Sequence, residues 1–286
     1  MAAFRSEFQP RSDDIPLTSF PKTGATWLMA LCHNILHLEE DDNILTKMKP
    51  HDVVPALDVV YLADQVQHAL LDSGRTTGRL LHTHLPYSCL SEAVRNSGCK
   101  FVHLARNPKD MLVSMWHFYN KIVKLNPTMP SASFPMEGAV ESFCSGVLPF
   151  GPFYEHVVGY WEESKKRPDK VLFLKYEELR RDPKEQVRKL ASFLGKLFST
   201  TTAADGDDDD EVVVEKVLWR SSFGRLKELE VNKNGVLEIG KVPNVHFFRK
   251  GTVRDWNNYL TPQMAERIDQ LTQLKLQGIG LSLDDF

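Results

Sequence analysis

Cysteine is scarce in this sequence, and long apolar runs are missing. The 4 cysteines among 286 residues are irregularly spaced and form no Cys-x-x-Cys pair, which argues against a zinc site and favours reduced, mostly buried thiols. No segment approaches the roughly 18–20 apolar residues of a membrane span. The N-terminal stretch MAAFRSEFQPRSDDIP has no apolar core of signal-peptide length. We therefore expect a cytoplasmic protein that binds neither a membrane nor a metal.

A surplus of positive charge is also missing, which argues against a nucleic-acid partner. The chain has 35 Lys and Arg against 38 Asp and Glu, for a formal net charge of -3. Six of the acids lie close together, at Asp205, at 207–210 and at Glu211, and without them the net charge changes from -3 to +3. A modest positive field is therefore available elsewhere for an anionic ligand.

The segment that contains these acids, STTTAADGDDDD at 199–210, is low in complexity. Such a composition predicts a solvated acidic loop, which we place at 199–211. A calcium site is the alternative, but the ordered ligand spacing of a calcium loop is missing. We also expect residues 1–13 to form a flexible tail.

Short apolar runs alternate with longer amphipathic segments, which predicts an α/β fold with a mainly parallel sheet. The predicted strands are 15–20, 80–83, 100–105 and 171–175, and the predicted helices are 26–38, 108–121, 183–194 and one that begins at Pro262. A capping residue before a proline marks three of the helix starts. Pro16 cannot donate a hydrogen bond to a neighbouring strand, so we expect the first strand to be shortened or to lie at an edge.

A strand, a turn and a helix follow one another in SFPKTGATW, at 19–27. Gly24 lets the backbone approach a ligand, and the unpaired N–H groups at the helix start favour phosphate. Lys22 adds a point charge, and Thr23 and Thr26 add hydroxyl donors. The GxxxxGK[ST] loop of nucleotide hydrolases is absent. On its own, an ordinary strand-to-helix turn is the alternative.

Three further segments place reactive or charged side chains after predicted strands or beside glycine. His84, in LLHTHLPYS, falls at a sheet edge, where a neutral imidazole can accept a proton from a hydroxyl. Arg106 ends another strand, and Ser114 follows about two helical turns later, which suits a phosphate monoester. Arg249 and Lys250 precede Gly251 and could close over an anion. The alternatives are a satisfied surface histidine, a helix-capping arginine and a solvated loop.

In this order, the four segments resemble the cytosolic sulfotransferase family. The stretches that are closest to its plant branch are HTHLPYS, FCSGVLPFGPFYEHVVGYWEES, KVLFLKYEELRRDP, LEVNK, FFRKG and NYLTPQMAERID. The resemblance implies a single α/β domain over 1–286 and transfer of a sulfuryl group from 3′-phosphoadenosine 5′-phosphosulfate (PAPS) to a hydroxyl of a small organic acceptor (EC 2.8.2.-). It also implies a monomer or a weak homodimer in the cytoplasm.

The resemblance further implies a role for each residue of these motifs. His84 would be the general base, and Lys22 would neutralise charge as the phosphate leaves. The loop that cradles the 5′-phosphosulfate would be Lys22, Thr23, Gly24, Ala25, Thr26 and Trp27. The residues that hold the 3′-phosphate and adenosine would be Arg106, Ser114, Tyr176, Ser221 or Ser222, Arg249, Lys250 and Gly251. No metal is required.

Several departures from the family pattern keep a second function open. The segment before Lys22 is short, Ala25 replaces a usual Thr, and Arg254 stands where the family has Gly. A non-glycine residue with a positive φ at that point carries a strain of order 1 kcal/mol. Asn257 and Pro262 alter the family's dimer segment. The alternative is therefore a catalytically weak or inactive relative that still binds PAPS or its product PAP.

Two other function classes stay open at this stage. A P-loop kinase or hydrolase would need a Walker-type lysine together with a magnesium-binding carboxylate, and the sequence lacks that combination. A non-enzymatic interaction protein would use the acidic segment. The acceptor is open among flavonoids, steroid-like hormones, hydroxyjasmonates, phenols and desulfoglucosinolates.

Overall fold

The computed structural model describes residues 9–40, 42–57, 78–125, 133–196, 198, 208–237 and 241–284. The strands are β1 (Ile15–Ser19), β2 (Leu80–Thr83), β3 (Phe101–Ala105), β4 (Val171–Lys175), β5 (Val236–Leu237) and β6 (Val242–Pro243). The α-helices are α1 (Ala25–Leu36), α2 (Pro50–Val53), α3 (Glu92–Asn96), α4 (Pro108–Leu125), α5 (Met136–Cys144), α6 (Phe153–Lys166), α7 (Tyr176–Arg181), α8 (Pro183–Phe193), α9 (Asp208–Arg220), α10 (Phe223–Glu228), α11 (Glu230–Lys233) and α12 (Pro262–Leu276). Short 3-10 helices occupy Ile44–Thr46, Tyr87–Cys89, Asn244–Phe247 and Asp255–Asn258.

The central sheet is parallel throughout and has the order β2-β1-β3-β4. Its register pairs Ile15 with Leu80, Leu17 with Val102 and Phe101 with Val171. Because the strands are parallel, all four carboxyl ends meet at one edge. The α/β fold and the parallel sheet predicted from the sequence are confirmed. A separate antiparallel pair joins β5 and β6.

The expectation that Pro16 puts β1 at an edge is wrong, because β1 lies between β2 and β3. The pairing of β1 with β3 begins at Leu17, opposite Val102. Pro16 is therefore just outside that ladder, where a missing N–H is easily tolerated. The strand ends one residue earlier than predicted, at Ser19.

Both faces of the sheet are buried, as expected when helices cover a parallel sheet. Alternate residues of β3 and β4 face two different hydrophobic clusters. One cluster contains Phe101, Ala105, Val171 and Phe173, and the other contains Val102, Leu104, Leu172 and Leu174. Full burial of a large apolar side chain contributes about 1.5–3 kcal/mol, so these strands form a rigid base for the loops at their carboxyl ends. No helix in the described ranges is long and apolar enough to cross a membrane.

Part of the predicted acidic loop is helical, since α9 begins at Asp208. Negative side chains stabilise a helix N-terminus through its dipole. Lys184 and Arg188, both on α8, also pair with this end of α9: Lys184 contacts Glu211, and the Arg188 Nε lies 3.1 Å from an Asp210 carboxylate oxygen. Residues 199–207 lie outside the described residues, as do 1–8 of the predicted tail.

Candidate functional site

A cavity of about 790 Å³ opens where the carboxyl ends of the central strands meet. The sequence-predicted site residues that line it are Lys22, Gly24, Ala25, Thr26, Trp27, His84, Arg106, Ser114, Tyr176, Arg249, Lys250 and Gly251. Thr23 and Ser221 are absent from the lining. Four segments that are distant in the chain thus contribute to one cavity, because each follows a strand of the sheet or packs over its edge.

The turn after β1 requires an unusual backbone. Lys22 has φ 69 and Gly24 has φ 114, both in the left-handed region. A side chain at Gly24 would be strained, and its Cβ would lie 2.9 Å from the ring of Tyr176. The first turn of α1 carries no acidic residue. The positive end of the helix dipole therefore faces the cavity without a neighbouring carboxylate to offset it.

The structure places the Thr23 hydroxyl, which was predicted to be a phosphate donor, against the backbone of its own turn. Thr23 is buried, and its Oγ1 donates to the carbonyl oxygen of Phe20 at 2.8 Å. The backbone N–H of Thr23 bonds the same carbonyl. Thr23 therefore stabilises the turn that presents Lys22 rather than offering its hydroxyl to the cavity.

Lys22 is the centre of a cluster of positive charge. Its Nζ lies 3.9 Å from the centre of the Phe118 ring. Burial of the ammonium and, to a smaller extent, the positive charges of Arg106 and Arg249 together lower the pKa of Lys22 to about 7. Lys22 is therefore close to losing its proton in the unliganded protein, and a bound anion would restore its charge.

The imidazole of His84 is held through its Nδ1 atom. Its Nδ1 lies 2.8 Å from the carbonyl oxygen of Ser19. A carbonyl only accepts, so Nδ1 carries the hydrogen and Nε2 has the lone pair of the neutral ring. Nε2 of the buried His156 lies 3.0 Å from the backbone oxygen of His84 and anchors the same segment. This arrangement suits a base that accepts a proton at Nε2.

Two contacts hold the side chain of Arg106 at the end of β3. Its Nη2 donates to the carbonyl oxygen of Thr252 at 2.8 Å, and its guanidinium carbon lies 4.4 Å from the centre of the Tyr176 ring. The Nε of Arg106 has no hydrogen-bond partner in the described part of the chain. Ser114 lines the cavity from α4. These groups suit a phosphate that accepts several hydrogen bonds.

The segment that contains Arg249 and Lys250 is held by one carboxylate. Asp255 pairs with both side chains, at 2.7 Å in the case of Lys250. Burial alone would raise the pKa of Asp255, but these hydrogen bonds outweigh burial and lower it to about 2. Gly251 has φ 67, and a Cβ there would lie 2.8 Å from the ring of Phe223. The cations therefore reach the cavity from a tight, preorganised turn.

Ser221, predicted to contact adenosine, is buried away from the cavity. Its Oγ accepts a hydrogen bond from Asn34 Nδ2 at 2.9 Å and lies 3.3 Å from the carbonyl oxygen of Ala30. The alternative, Ser222, accepts a hydrogen bond from the N–H of Arg225 and caps α10. Both hydroxyls stabilise α1 and α10 rather than a ligand in this structure.

Sequence reasoning missed several residues that line the cavity, among them His51, His82, Phe118 and Phe247. Phe118 lies four residues after Ser114 on α4, so helical spacing could have found it. Phe247 begins the FFRKG stretch and stands two residues before Arg249, so that motif could have indicated it, whereas His51 carried no local signal. Burial lowers the pKa of His51 to about 3 and that of His82 well below its usual value, so both imidazoles are neutral.

The chain is similar to known proteins in sequence and in fold. The sulfotransferase domain family matches residues 12–280. Cytosolic sulfotransferase 5 of Arabidopsis thaliana is 40% identical over 284 residues, covering 97% of this chain and 84% of the relative. Flavonol 3-sulfotransferase of Flaveria bidentis is 39% identical, covering 96% of this chain and 86% of the relative. The solved structure of a mouse sulfotransferase complexed with PAP has a TM-score of 0.68 and 28% identity, covering 97% of this chain and 89% of that one.

Proposed function

The chain belongs to the plant branch of the cytosolic sulfotransferase family, and on that premise we propose that it transfers the sulfuryl group of PAPS to a hydroxyl of a small acceptor. The observation that carries the proposal is the meeting of Lys22, Arg106 and Arg249 at one cavity. Burial, with a smaller contribution from the two arginines, lowers the pKa of Lys22 to about 7. Asp255 and Asp110 pair with part of this charge, but the cations outnumber these carboxylates, and such an excess fits a ligand with several phosphate and sulfate groups.

The residues present fit both charged ends of PAPS. Lys22 and the start of α1 suit the phosphosulfate end, because a point charge and unpaired N–H groups lie together there. Arg106, Ser114 and Arg249 suit the 3′-phosphate, and the Nε atoms of Arg106 and Arg249 have no partner within the described ranges. The relative from mouse was solved with PAP, which supports PAP as the product of this chain.

The cavity offers a residue for the proton that is removed and another for the negative charge that develops during the transfer. PAPS, when bound, supplies the activated sulfuryl group. His84 accepts the proton of the attacking hydroxyl at Nε2, since Nδ1 is held by Ser19. Lys22 is protonated beside the bound phosphate and stabilises the negative charge that develops on the leaving oxygen. Arg106 and Arg249 hold the nucleotide, so that positioning and electrostatics supply much of the rate enhancement.

We propose a phenolic or similarly flat acceptor. The centres of the His84 and Phe150 rings lie 5.4 Å apart, Phe118 and Phe247 line the same cavity, and His51 of the lining is neutral. Aromatic side chains contact planar rings through offset or edge contacts. The relative from Flaveria bidentis carries the name flavonol 3-sulfotransferase, which supports the same class. We also propose that the protein acts in the cytoplasm, as the names of its Arabidopsis relatives indicate for them.

The test is turnover of PAPS with a panel of flavonols, simple phenols and steroid alcohols, for the wild type and His84→Ala. We expect His84→Ala to lower kcat by about 10²–10⁴ while the Kd for PAP stays unchanged, because the base acts on the acceptor. His37→Ala is the matched control, since His37 pairs with Glu40 and is not part of the cavity lining. Equal activity of His84→Ala would refute the base assignment. PAP binding without turnover on any acceptor would favour the inactive relative.

A further inference from the structure

Glu177 is a buried carboxyl, 6% exposed, that has no part in the chemistry proposed above. It follows Tyr176 at the start of α7. Its Oε1 accepts a hydrogen bond from the backbone N–H of Asn107 at 3.0 Å. Asn107 directly follows Arg106. Glu177 therefore connects the end of β4, which carries Tyr176, with the end of β3, which carries Arg106.

Asn107 is anchored on each of its polar atoms. Its Oδ1 accepts a hydrogen bond from the N–H of Lys109 at 2.9 Å and so caps α4. Its Nδ2 donates to the carbonyl oxygen of Leu283, near the end of the described chain, at 3.0 Å. The position of Asn107 therefore determines both the exit direction of β3 and the start of α4, which carries Ser114 into the cavity.

We propose that Glu177 is a positioning residue for nucleotide binding, which acts through Asn107 to hold Arg106 and Ser114 in place. This inference rests on the proposed function, because it concerns the same nucleotide site. The Arg106 guanidinium is already confined by the carbonyl of Thr252 and by the Tyr176 ring. A small shift of Asn107 would therefore move Arg106 out of both contacts.

The charge of Glu177 adds a pH dependence to this arrangement. The pKa of Glu177 is raised to about 7, chiefly by burial and in part by Asp110, against the opposing effects of the hydrogen bond from the Asn107 N–H and of the charge of Arg106. Arg106 and Asp110 are the charged side chains that shift the pKa of Glu177, and burial together with ionised Glu177 raises the pKa of the neighbouring Tyr176. A phosphate bound beside Arg106 adds negative charge and disfavours the ionised carboxyl. Binding is then tighter below about pH 7, where Glu177 is protonated, and weaker above it.

The experiment is calorimetric titration of the full chain with PAP between pH 6 and pH 8.5, comparing the wild type with Glu177→Gln and Glu177→Ala. The glutamine keeps an oxygen for the Asn107 N–H and does not titrate. We expect its Kd to equal that of the wild type at pH 6 and to be several-fold lower at pH 8.5. The alanine leaves the buried N–H of Asn107 unpaired, so we expect its Kd to be about tenfold higher at pH 6.

Glu178→Gln is the matched control, because Glu178 is the next residue and pairs with Lys175 instead, at 3.2 Å. Its Kd should equal that of the wild type at each pH. Lys22 and the phosphate of PAP titrate in the same range, but they are common to all variants and cancel in the ratio of two Kd values. A constant ratio between wild type and Glu177→Gln would overturn this inference and leave the proposed function intact, and so would unchanged binding by Glu177→Ala.

Two further outcomes are informative. Should Glu177→Ala fail to fold, the pH dependence of the Glu177→Gln ratio decides the question by itself, in either direction. Should the wild type fail to bind PAP at any pH, the nucleotide site of the proposed function is refuted and this inference falls with it. The two failures are therefore distinguishable.

Discussion

Lys22 combines backbone strain with unbalanced charge in a single residue. Its φ of 69 is uncommon for a side chain of this size and costs of order 1–3 kcal/mol. Its ammonium lies against the Phe118 ring, near Arg106 and Arg249, and its pKa is about 7. The surrounding fold maintains this arrangement at a cost in the free energy of folding. A bound anion would offset that cost.

We expect the pH dependence of PAP binding to reveal this cost. The pKa of Lys22 is lowered to about 7, so the charged form predominates below that pH and the neutral amine above it. Lys22→Met keeps an apolar stem against Phe118 but carries no charge at any pH. The ratio of its Kd for PAP to that of the wild type should therefore be largest near pH 6 and fall towards pH 9. A ratio that stays constant over this range would contradict the assigned charge.

At the residue scale, the sequence identified the cations of the site but not the direction of every hydroxyl. Lys22, Arg106 and Arg249 were predictable because each stands next to a strand end or a glycine. Thr23 and Ser221 were not, because a hydroxyl binds whichever acceptor the fold brings near it. The acceptor of Thr23 is the carbonyl of Phe20, and Ser221 meets Asn34, which is 187 residues away in the sequence.

At the scale of elements, helix starts were the most predictable feature. Asp182 and Thr261 each accept a hydrogen bond from an N–H of the first turn and stand before a proline, at α8 and α12. The place of β1 in the sheet was not predictable from Pro16, because the order of strands depends on the whole topology. The start of α9 within the acidic segment was missed, because its cationic partners on α8 are distant in the sequence.

The turn before the 3-10 helix at Asp255–Asn258 yields a prediction about stability. Arg254 has φ 61, and its N–H donates to a carboxylate oxygen of Asp110 at 2.7 Å. This geometry meets the condition under which a non-glycine residue at this position was expected to be strained. We expect Arg254→Gly to be more stable than Arg254→Ala by about 1 kcal/mol, because both lack the side chain and only glycine adopts the left-handed region without strain.

Thermal unfolding of the two variants measures this difference. About 1 kcal/mol corresponds to a rise in Tm of roughly 2–4 °C for a chain of this size. Arg254→Ala serves as the control for loss of the guanidinium. Equal Tm values for the two variants would show that the left-handed backbone at this turn carries no net strain.

At the scale of the whole molecule, one parallel sheet explains why motifs spread over more than two hundred residues form one site. The strands carry Lys22, His84, Arg106 and Tyr176 to the same edge. Such convergence was predictable once the sheet was predicted parallel. The aromatic lining was not predicted, because an aromatic side chain such as Phe247 gives no sign in the sequence of whether it faces a cavity or the core. The lining that we propose for the acceptor is therefore the part of the site with the weakest sequence signal.

Because these segments meet only in the folded chain, a nucleotide that contacts them should stabilise the whole molecule. PAP at about 100 times its Kd should add about 2.7 kcal/mol to the free energy of unfolding, which is a rise in Tm of roughly 5–11 °C. Arg106→Ala should lose most of this shift, since its guanidinium is buried at the cavity. Arg267→Ala is the matched control, because Arg267 is half exposed and pairs with Glu141 at 2.7 Å. A shift of equal size in Arg106→Ala would mean that PAP binds elsewhere. The absence of a shift in the folded wild type would mean that this cavity does not bind the nucleotide.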